Sequence, residues 1–247
     1  MSAADRAPDF SGTTCSALPA RSARMAAVAL GHIPVDRPIR VLDIGCGTGA
    51  LVFLIADARP LAEVIGLDIS SANIRAAEHS RRASGAASRI AFAQGDYLTY
   101  HADPFDAIVS DGVLHLIPGD TRALFAHITR DLRAGGAFVC GMPFDCGYNQ
   151  IFTLIRRALR LVRSPLADAA ILFAARALHG REMDERSLRE RIDYMYMPPT
   201  RMLDRETCER VAPAAGLRVI AQYPMPSTSP SQLRHNVTVF ERAGAVV

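Results

Sequence analysis

The chain has 247 residues, 49% apolar and 21% charged, with a formal net charge of +3. That length and apolar content suffice for one large domain, or one domain with a cap, and so small a charge argues against nucleic acid or an anionic membrane surface as partner. All 28 basic residues are arginines, which excludes Schiff-base lysine chemistry, a Walker-type phosphate lysine and a Tyr-x-x-x-Lys dehydrogenase pair.

Residues 1–19 are rich in Ala, Ser, Thr, Pro and Gly, carry Asp5 and Asp9 and lack a long apolar run, so no signal peptide is expected. A short helix over 20–30 ends at Gly31. Ile39, Val41, Leu42 and Ile44 form a first strand, Gly45, Gly47 and Gly49 a turn, and residues 50–58 a helix. A second strand covers 63–68, and Ser70 caps a helix running through Arg82. Strands over 90–94 and 105–110 follow, then a helix capped by Asp120 that runs to Leu132 and stops at Gly135-Gly136, then a fifth strand over 137–142. Such alternation is the pattern of a parallel sheet covered on both faces.

The rhythm breaks after residue 143. Helices are expected over 151–162, 166–178 and 184–191, and Tyr194-Met-Tyr-Met-Pro-Pro199 cannot continue as helix. A helix over 204–215 and two strands, 217–223 and 236–241, close the chain, the strands pairing as an antiparallel edge. The predicted fold is α/β, doubly wound, with a mostly parallel seven-stranded sheet of Rossmann-like methyltransferase type, an antiparallel last strand and a helical cap insert. Residues 1–38 form an N-terminal segment, 39–142 and 203–247 the sheet domain, and 143–202 the insert. Leu166–Leu178 is the longest apolar stretch, but Asp168 and Arg176 interrupt it and it is too short to span a bilayer. The 5 cysteines form no C-x-x-C pair, and the odd count suggests reduced thiols in a cytoplasm.

The strand–turn–helix around Gly45 is a nucleotide-type site. Gly45-x-Gly47-x-x-Ala50 with Asp68 also satisfies the dinucleotide fingerprint. Other acids shift the balance. Asp43, two residues before Gly45, repels a pyrophosphate and suits a cation or a ligand amino group. Gly95-Asp96 follows the third strand, where an acid can accept from an adenine amino group, and Ser110-Asp111 followed by Val113-Leu114-His115 ends the fourth.

On these residues, 39–142 resemble the core of the class I S-adenosylmethionine-dependent methyltransferases, of small-molecule type. Val41-Leu-Asp-Ile-Gly-Cys-Gly-Thr-Gly49 is close to that family's commonest first motif. Gly66–Ser70 resembles the second, Gly95-Asp96-Tyr97 the third, Phe105–Ser110 the fourth, and Leu132–Gly136 the turn before strand five. The resemblance implies S-adenosylmethionine as cofactor. Gly45, Cys46, Gly47 and Gly49 would lie against its methionine part, and Asp43 would orient its amino group or the turn. Asp68 would bind both ribose hydroxyls, Ile69 would pack on adenine, and Asp96 would accept from N6 with Tyr97 beside it. Ser110 would begin the segment facing the methyl sulfonium.

For the acceptor, His115 is the leading candidate base, just past strand four and with an ordinary pKa near neutrality. The alternative is that it caps the Asp120 helix or packs on the cofactor. Tyr148, Tyr194 and Tyr196 of the insert are candidate walls of an apolar acceptor pocket, or else cap core or a homodimer face. Leu172 and Phe173 read as cap core. Arg201 is either a partner for an acceptor carboxylate or a surface residue, and His235 can face the site from the last strand. No His/Asp/Glu cluster has metal-ligand spacing, so no metal is expected. The Asn/Asp-Pro-Pro-Tyr motif of nucleic-acid amino methyltransferases and the paired-glutamate loop of protein-arginine methyltransferases are absent. The reading is methyl transfer to a small organic acceptor on oxygen, with nitrogen or carbon as the alternative. An NAD-dependent oxidoreductase and a non-catalytic cofactor-binding protein are the rivals from other classes.

Overall fold

The computed structural model describes residues 19–179, 188–189, 192–226 and 232–244. The helix expected over 184–191 falls almost wholly outside them. Among the described residues seven strands form one sheet, β1 (Ile39–Ile44), β2 (Ala62–Asp68), β3 (Ile90–Gln94), β4 (Phe105–Asp111), β5 (Leu132–Pro143), β6 (Leu217–Met225) and β7 (His235–Arg242). Their order is β3-β2-β1-β4-β5-β7-β6. The first five pair in parallel, and β7 runs antiparallel between β5 and β6. The doubly wound mixed sheet expected from the sequence is the sheet observed.

Alternation along each strand divides the core in two. Val41, Val64, Ala107, Val109, Val139 and Val239 face α1 (Pro19–Leu30) and α2 (Ala50–Ala58), packing with Met25, Ala29, Val52 and Ile55. Leu42, Ile65, Ile108, Phe138 and Phe240 face α4 (Thr121–Asp131), packing with Leu124, Phe125 and Ile128. The Phe138 and Phe240 rings stack 5.5 Å apart between neighbouring strands, and each fully buried phenylalanine is worth about 2–3 kcal/mol. Ser70 caps α3 (Ser71–Arg82) by accepting from the Asn73 amide, and His79, Arg81 and Arg82 sit favourably in its last turn. Asp120 caps α4 by accepting from the Arg122 amide, so the cap role considered for His115 is taken.

Strand β5 begins at Leu132, five residues earlier than the glycine pair suggests. The segment after it holds α5 (Gly147–Leu161), α6 (Pro165–His179) and a short helix, Ile192–Met195. Helix α5 is turned inside out. Asn149, Thr153 and Arg156 are buried, whereas Ile151, Leu154, Ile155 and Leu161 are exposed. On α6 Leu172 is buried as expected, but Phe173 is 74% exposed and is no core residue. Among the described residues no helix is long and apolar enough to cross a membrane.

Candidate active site

The carboxyl end of the sheet collects most of the residues singled out by sequence. Strand β1 runs into Gly45, whose φ of 73° lies in the left-handed region. Its position leaves no room for a Cβ, which would strike the Val113 side chain. The turn is pinned to β2. The Gly45 and Cys46 amides donate to the Leu67 carbonyl at 2.7 and 3.0 Å, and the Gly47 amide donates to Asp68 Oδ2 at 2.8 Å. Helix α2 then starts at Gly49 with no side-chain cap, so its first amides are open to a ligand.

Three acids stand behind this turn. Asp68 is buried and its Oδ1 accepts from the Ser70 amide at 2.8 Å and from Asn73 Nδ2 at 3.3 Å. Asp43 is buried without a hydrogen-bond donor among the described residues, and burial, with Asp111 and Asp68 nearby, pushes its carboxyl well above the usual range. Asp111 is neutralised by Arg21 of α1 through bonds of 2.7 and 2.5 Å to Nε and Nη2. Toward β3, Ile69 is 52% exposed. Asp96 is exposed, with Oδ1 accepting from the Leu98 amide at 2.9 Å.

Two residues assigned to the cofactor by sequence have their side chains engaged elsewhere. Tyr97 is buried in the α4-side core and donates to Asp131 Oδ2 at 3.0 Å; an aromatic ring three residues past a strand is drawn into the apolar layer. Ser110 is fully buried and donates to the Ile44 carbonyl at 2.9 Å, clipping β4 to β1.

On the other side of the turn lies His115, buried, with Nδ1 lacking any partner among the described residues. Its ring stands edge-on to His235 at 5.7 Å. Pro143 of β5 pairs with His235 of β7, which brings His235 to this end of the sheet. Burial, then His235, Arg156, Arg21 and Arg201, hold the His115 imidazole well below the usual histidine range, so it is neutral. Burial and Arg21 press His235 down to about 3. His235 Nδ1 lies 2.7 Å from the Leu233 carbonyl. A carbonyl only accepts, so Nδ1 carries the proton and Nε2 is an acceptor.

Arg201 is no surface residue. It is buried, with Nη1 donating to the Leu114 carbonyl at 2.9 Å and Nη2 to the Gly119 carbonyl at 2.8 Å. Thr200 adds bonds to the His115 and Ile117 carbonyls. Residues 200–201 therefore strap the loop that carries His115. Of the candidate walls, Tyr196 is buried but donates to Asp168 Oδ1 at 2.6 Å, beneath the Arg163 guanidinium. That bond ties the end of the Ile192–Met195 helix to α6. Tyr148 stacks on Phe152 with centroids 4.6 Å apart, and Arg234 lies over its ring. Tyr194 is in the short helix, and its side chain lies outside the described residues. Sequence reasoning missed Arg156, buried on α5 with Nη1 donating to the Met197 carbonyl at 3.4 Å and Nε unpartnered among the described residues. Its signal was the i, i+4, i+7 spacing of Asn149, Thr153 and Arg156 on one helix face.

Residues 36–153 match the family described as "Methyltransferase domain". Over these residues the chain is similar to the class I S-adenosylmethionine-dependent methyltransferases. The trans-aconitate 2-methyltransferase of Methylobacterium nodulans is 32% identical over 159 residues, 64% of this chain and 57% of the relative. That of Azoarcus sp. is 30% identical over 172 residues, 65% and 64% of the two chains. The chain thus spans less than two thirds of the length of these curated relatives. The solved structure of magnesium protoporphyrin IX methyltransferase from Synechocystis PCC 6803 with bound SAH superposes with a TM-score of 0.60 at 15% identity, covering 91% of this chain and 83% of that one. The 4+2 cyclase SpnF superposes equally well, at 0.61 and 14% identity over 90% and 81% of the chains. At such identities the likeness shows the fold alone.

The methyltransferase family's cofactor is S-adenosylmethionine, and the residues present fit it. The uncapped start of α2, the close approach at Gly45 and a buried Asp43 without a donor together form a cradle for a ligand bearing an amino group. Exposed Ile69 and Asp96 extend that cradle toward β3. Among the described residues no group of three His, Cys, Asp or Glu side chains is spaced to hold a metal ion. Cys46 and Cys140 are buried free thiols, and Cys146 and Cys208 are partly exposed ones.

Proposed function

We propose that this chain transfers a methyl group from S-adenosylmethionine to an oxygen of a small organic acceptor. The observation that carries the reading is His115, a buried neutral imidazole with an unpartnered Nδ1, on the loop whose Val113 touches the glycine turn. S-adenosylmethionine, when bound, supplies a methyl group on a positively charged sulfur, an electrophile already activated. The chain's residues then have to bind, align and exclude water. Asp43 would hold the amino group, Asp68 the ribose hydroxyls, Ile69 the adenine face and Asp96 its N6 amino group. His115 Nδ1 would align the acceptor oxygen and take the proton of a hydroxyl, which only a neutral ring can do. Arg201 and Thr200 hold that ring's loop in place.

The two relatives named trans-aconitate 2-methyltransferases support an oxygen of a small molecule as acceptor. The near-balanced charge supports a partner that is neither nucleic acid nor membrane, and the free thiols support a cytoplasmic setting. The segment 143–202 acts as the acceptor-binding cap in this reading, because Asn149, Arg156 and Thr200 reach the His115–His235 region from it.

The test is turnover with labelled S-adenosylmethionine over a panel of metabolites, reading release of S-adenosylhomocysteine. His115→Ala should spare product-cofactor binding and slow transfer about a hundredfold or more. An unchanged rate removes His115 from the mechanism. Tight NAD binding without S-adenosylmethionine binding ends the methyltransferase reading altogether.

A further inference from the structure

Among the described residues three buried side-chain nitrogens have no hydrogen-bond partner, His115 Nδ1, Arg156 Nε and Arg201 Nε. They come from three separate stretches: the loop after β4, helix α5, and the strap that follows the short Ile192–Met195 helix. Arg201 Nη1 donates to the Leu114 carbonyl beside His115, and Arg156 Nη1 donates to the Met197 carbonyl, three residues before the Thr200 that bonds the His115 carbonyl, so the three orphans gather around one loop and its strap. A buried polar nitrogen left unsatisfied is costly, and a concentration of them marks a place where something else supplies the partners.

We propose that Arg156 and Arg201, together with His115, form a subsite that takes a carboxylate of the methyl acceptor. The proposal rests on the methyltransferase reading and names the chemical class of its acceptor. Both Nε atoms carry an N–H that can only donate. Neither arginine has a carboxylate partner among the described residues, whereas neighbouring Arg21 is already matched by Asp111. Asp120 acts on Arg201 without pairing with it, and two buried guanidinium groups with no carboxylate in ion-pair contact among the described residues favour an added anion. The backbone here presents carbonyls, not amides: those of Leu114, His115, Ile117 and Gly119 all face and accept from Thr200 or Arg201. Among the described residues these bonds give the place acceptors in its wall rather than the amide donors that a tetrahedral phosphate needs. A planar carboxylate, with two oxygens for two unpartnered N–H donors, matches what is present. The neutral His115 and His235 add hydrogen-bonding atoms without adding charge.

The experiment titrates the full chain with succinate and with succinamide at matched ionic strength, with and without S-adenosylhomocysteine, following thermal midpoint and heat of binding. Succinate should bind and raise the midpoint where succinamide does not. Arg156→Gln should weaken succinate roughly tenfold or more, the loss expected when a charge-assisted bond is removed, while the affinity for S-adenosylhomocysteine stays within about twofold of the parent by the same scale. Arg156→Lys, which keeps the charge but not the planar fork, should fall between them. Retained S-adenosylhomocysteine binding certifies that each variant is folded. Equal binding of succinate and succinamide, or an Arg156→Gln titration identical to the parent's, overturns the carboxylate subsite. Failure of S-adenosylhomocysteine to bind the parent instead removes the methyltransferase reading, and the ligand-free succinate titration still decides the subsite.

Discussion

Asp43 is where binding and stability oppose each other most directly. Its carboxyl is buried, has no described donor and is pushed up by burial and by Asp111 and Asp68. A carboxyl whose folded pKa is raised contributes stability fully below its ordinary value of 3.8 and loses it as pH rises through the folded value. At neutral pH the ligand-free protein therefore carries a penalty. Asp43→Asn should raise the thermal midpoint of the ligand-free chain at pH 7 while weakening S-adenosylhomocysteine about tenfold or more, as expected for loss of a charge-assisted bond. A lowered midpoint would show that the carboxylate is stabilised by something other than a ligand. Asp68 differs, because its oxygens already hold the Gly47 and Ser70 amides. Asp68→Ala should abolish cofactor binding and also destabilise the turn, by about 2–3 kcal/mol for two bonds to a charged acceptor. Chemical denaturation beside a binding titration separates the two effects.

Among the elements, α5 departs most from expectation. Its buried Asn149 replaces a stretch of β-ladder: Nδ2 donates to the Phe144 and Arg234 carbonyls at 2.7 and 2.8 Å, and Oδ1 accepts from the Arg234 amide at 2.8 Å. Asn149→Ala leaves the Phe144 carbonyl and the Arg234 amide without partners, the Arg234 carbonyl keeping only the Phe144 amide at 3.4 Å, and should cost about 2–4 kcal/mol, measured by denaturant unfolding; a neutral result would mean that α5 docks through other contacts. The strands and α2, α3 and α4 were readable because apolar spacing, caps and glycines all agreed there. Helix α5 was placed as helix but not oriented, since an apolar face is normally read as the inner one and here Ile151 and Leu154 face out. Arg156 was missed for that reason. Tyr196 and Arg201 were seen as candidates, yet their partners Asp168, Leu114 and Gly119 are far away in sequence and no spacing predicts them. The glycine turn and Asp43, Asp68 and Asp96 were readable because one short motif holds each in place; His235 depended on β7 lying beside β5, a strand order that alternation does not encode.

Across the whole molecule the two ends of the sheet differ in how charge is treated. At the amino end Asp106 is buried but held by Arg37 and Arg133 and by the Arg40 amide at 2.7, 2.9 and 2.9 Å. These partners outweigh its burial and keep its carboxyl below the usual range. Its contribution is present above the ordinary value of 3.8 and lost only as pH falls below it. At the carboxyl end His115 and His235 are held neutral. The unfolded chain protonates them below the ordinary 6.5 while the folded chain resists, down to about 3 for His235. Stability should therefore fall between pH 6.5 and 4, by up to about 1.4 kcal/mol per pH unit for each histidine. Thermal midpoints across that range check this, and His235→Asn should flatten the decline. An equally steep decline in that variant would place the acid sensitivity elsewhere.

The position of β7 also sets an order of assembly. This strand is made after every other strand of the sheet, yet it is an inner one, and β6 has no partner until it arrives. Strands β1 to β5 can pair among themselves as the chain emerges, so the glycine turn and its acids can form early. The His115–His235 pair and the Asn149–Arg234 tie cannot exist until residues 234–235 are in place. On a growing chain, the place that holds the donor is therefore built before the place that receives the methyl group.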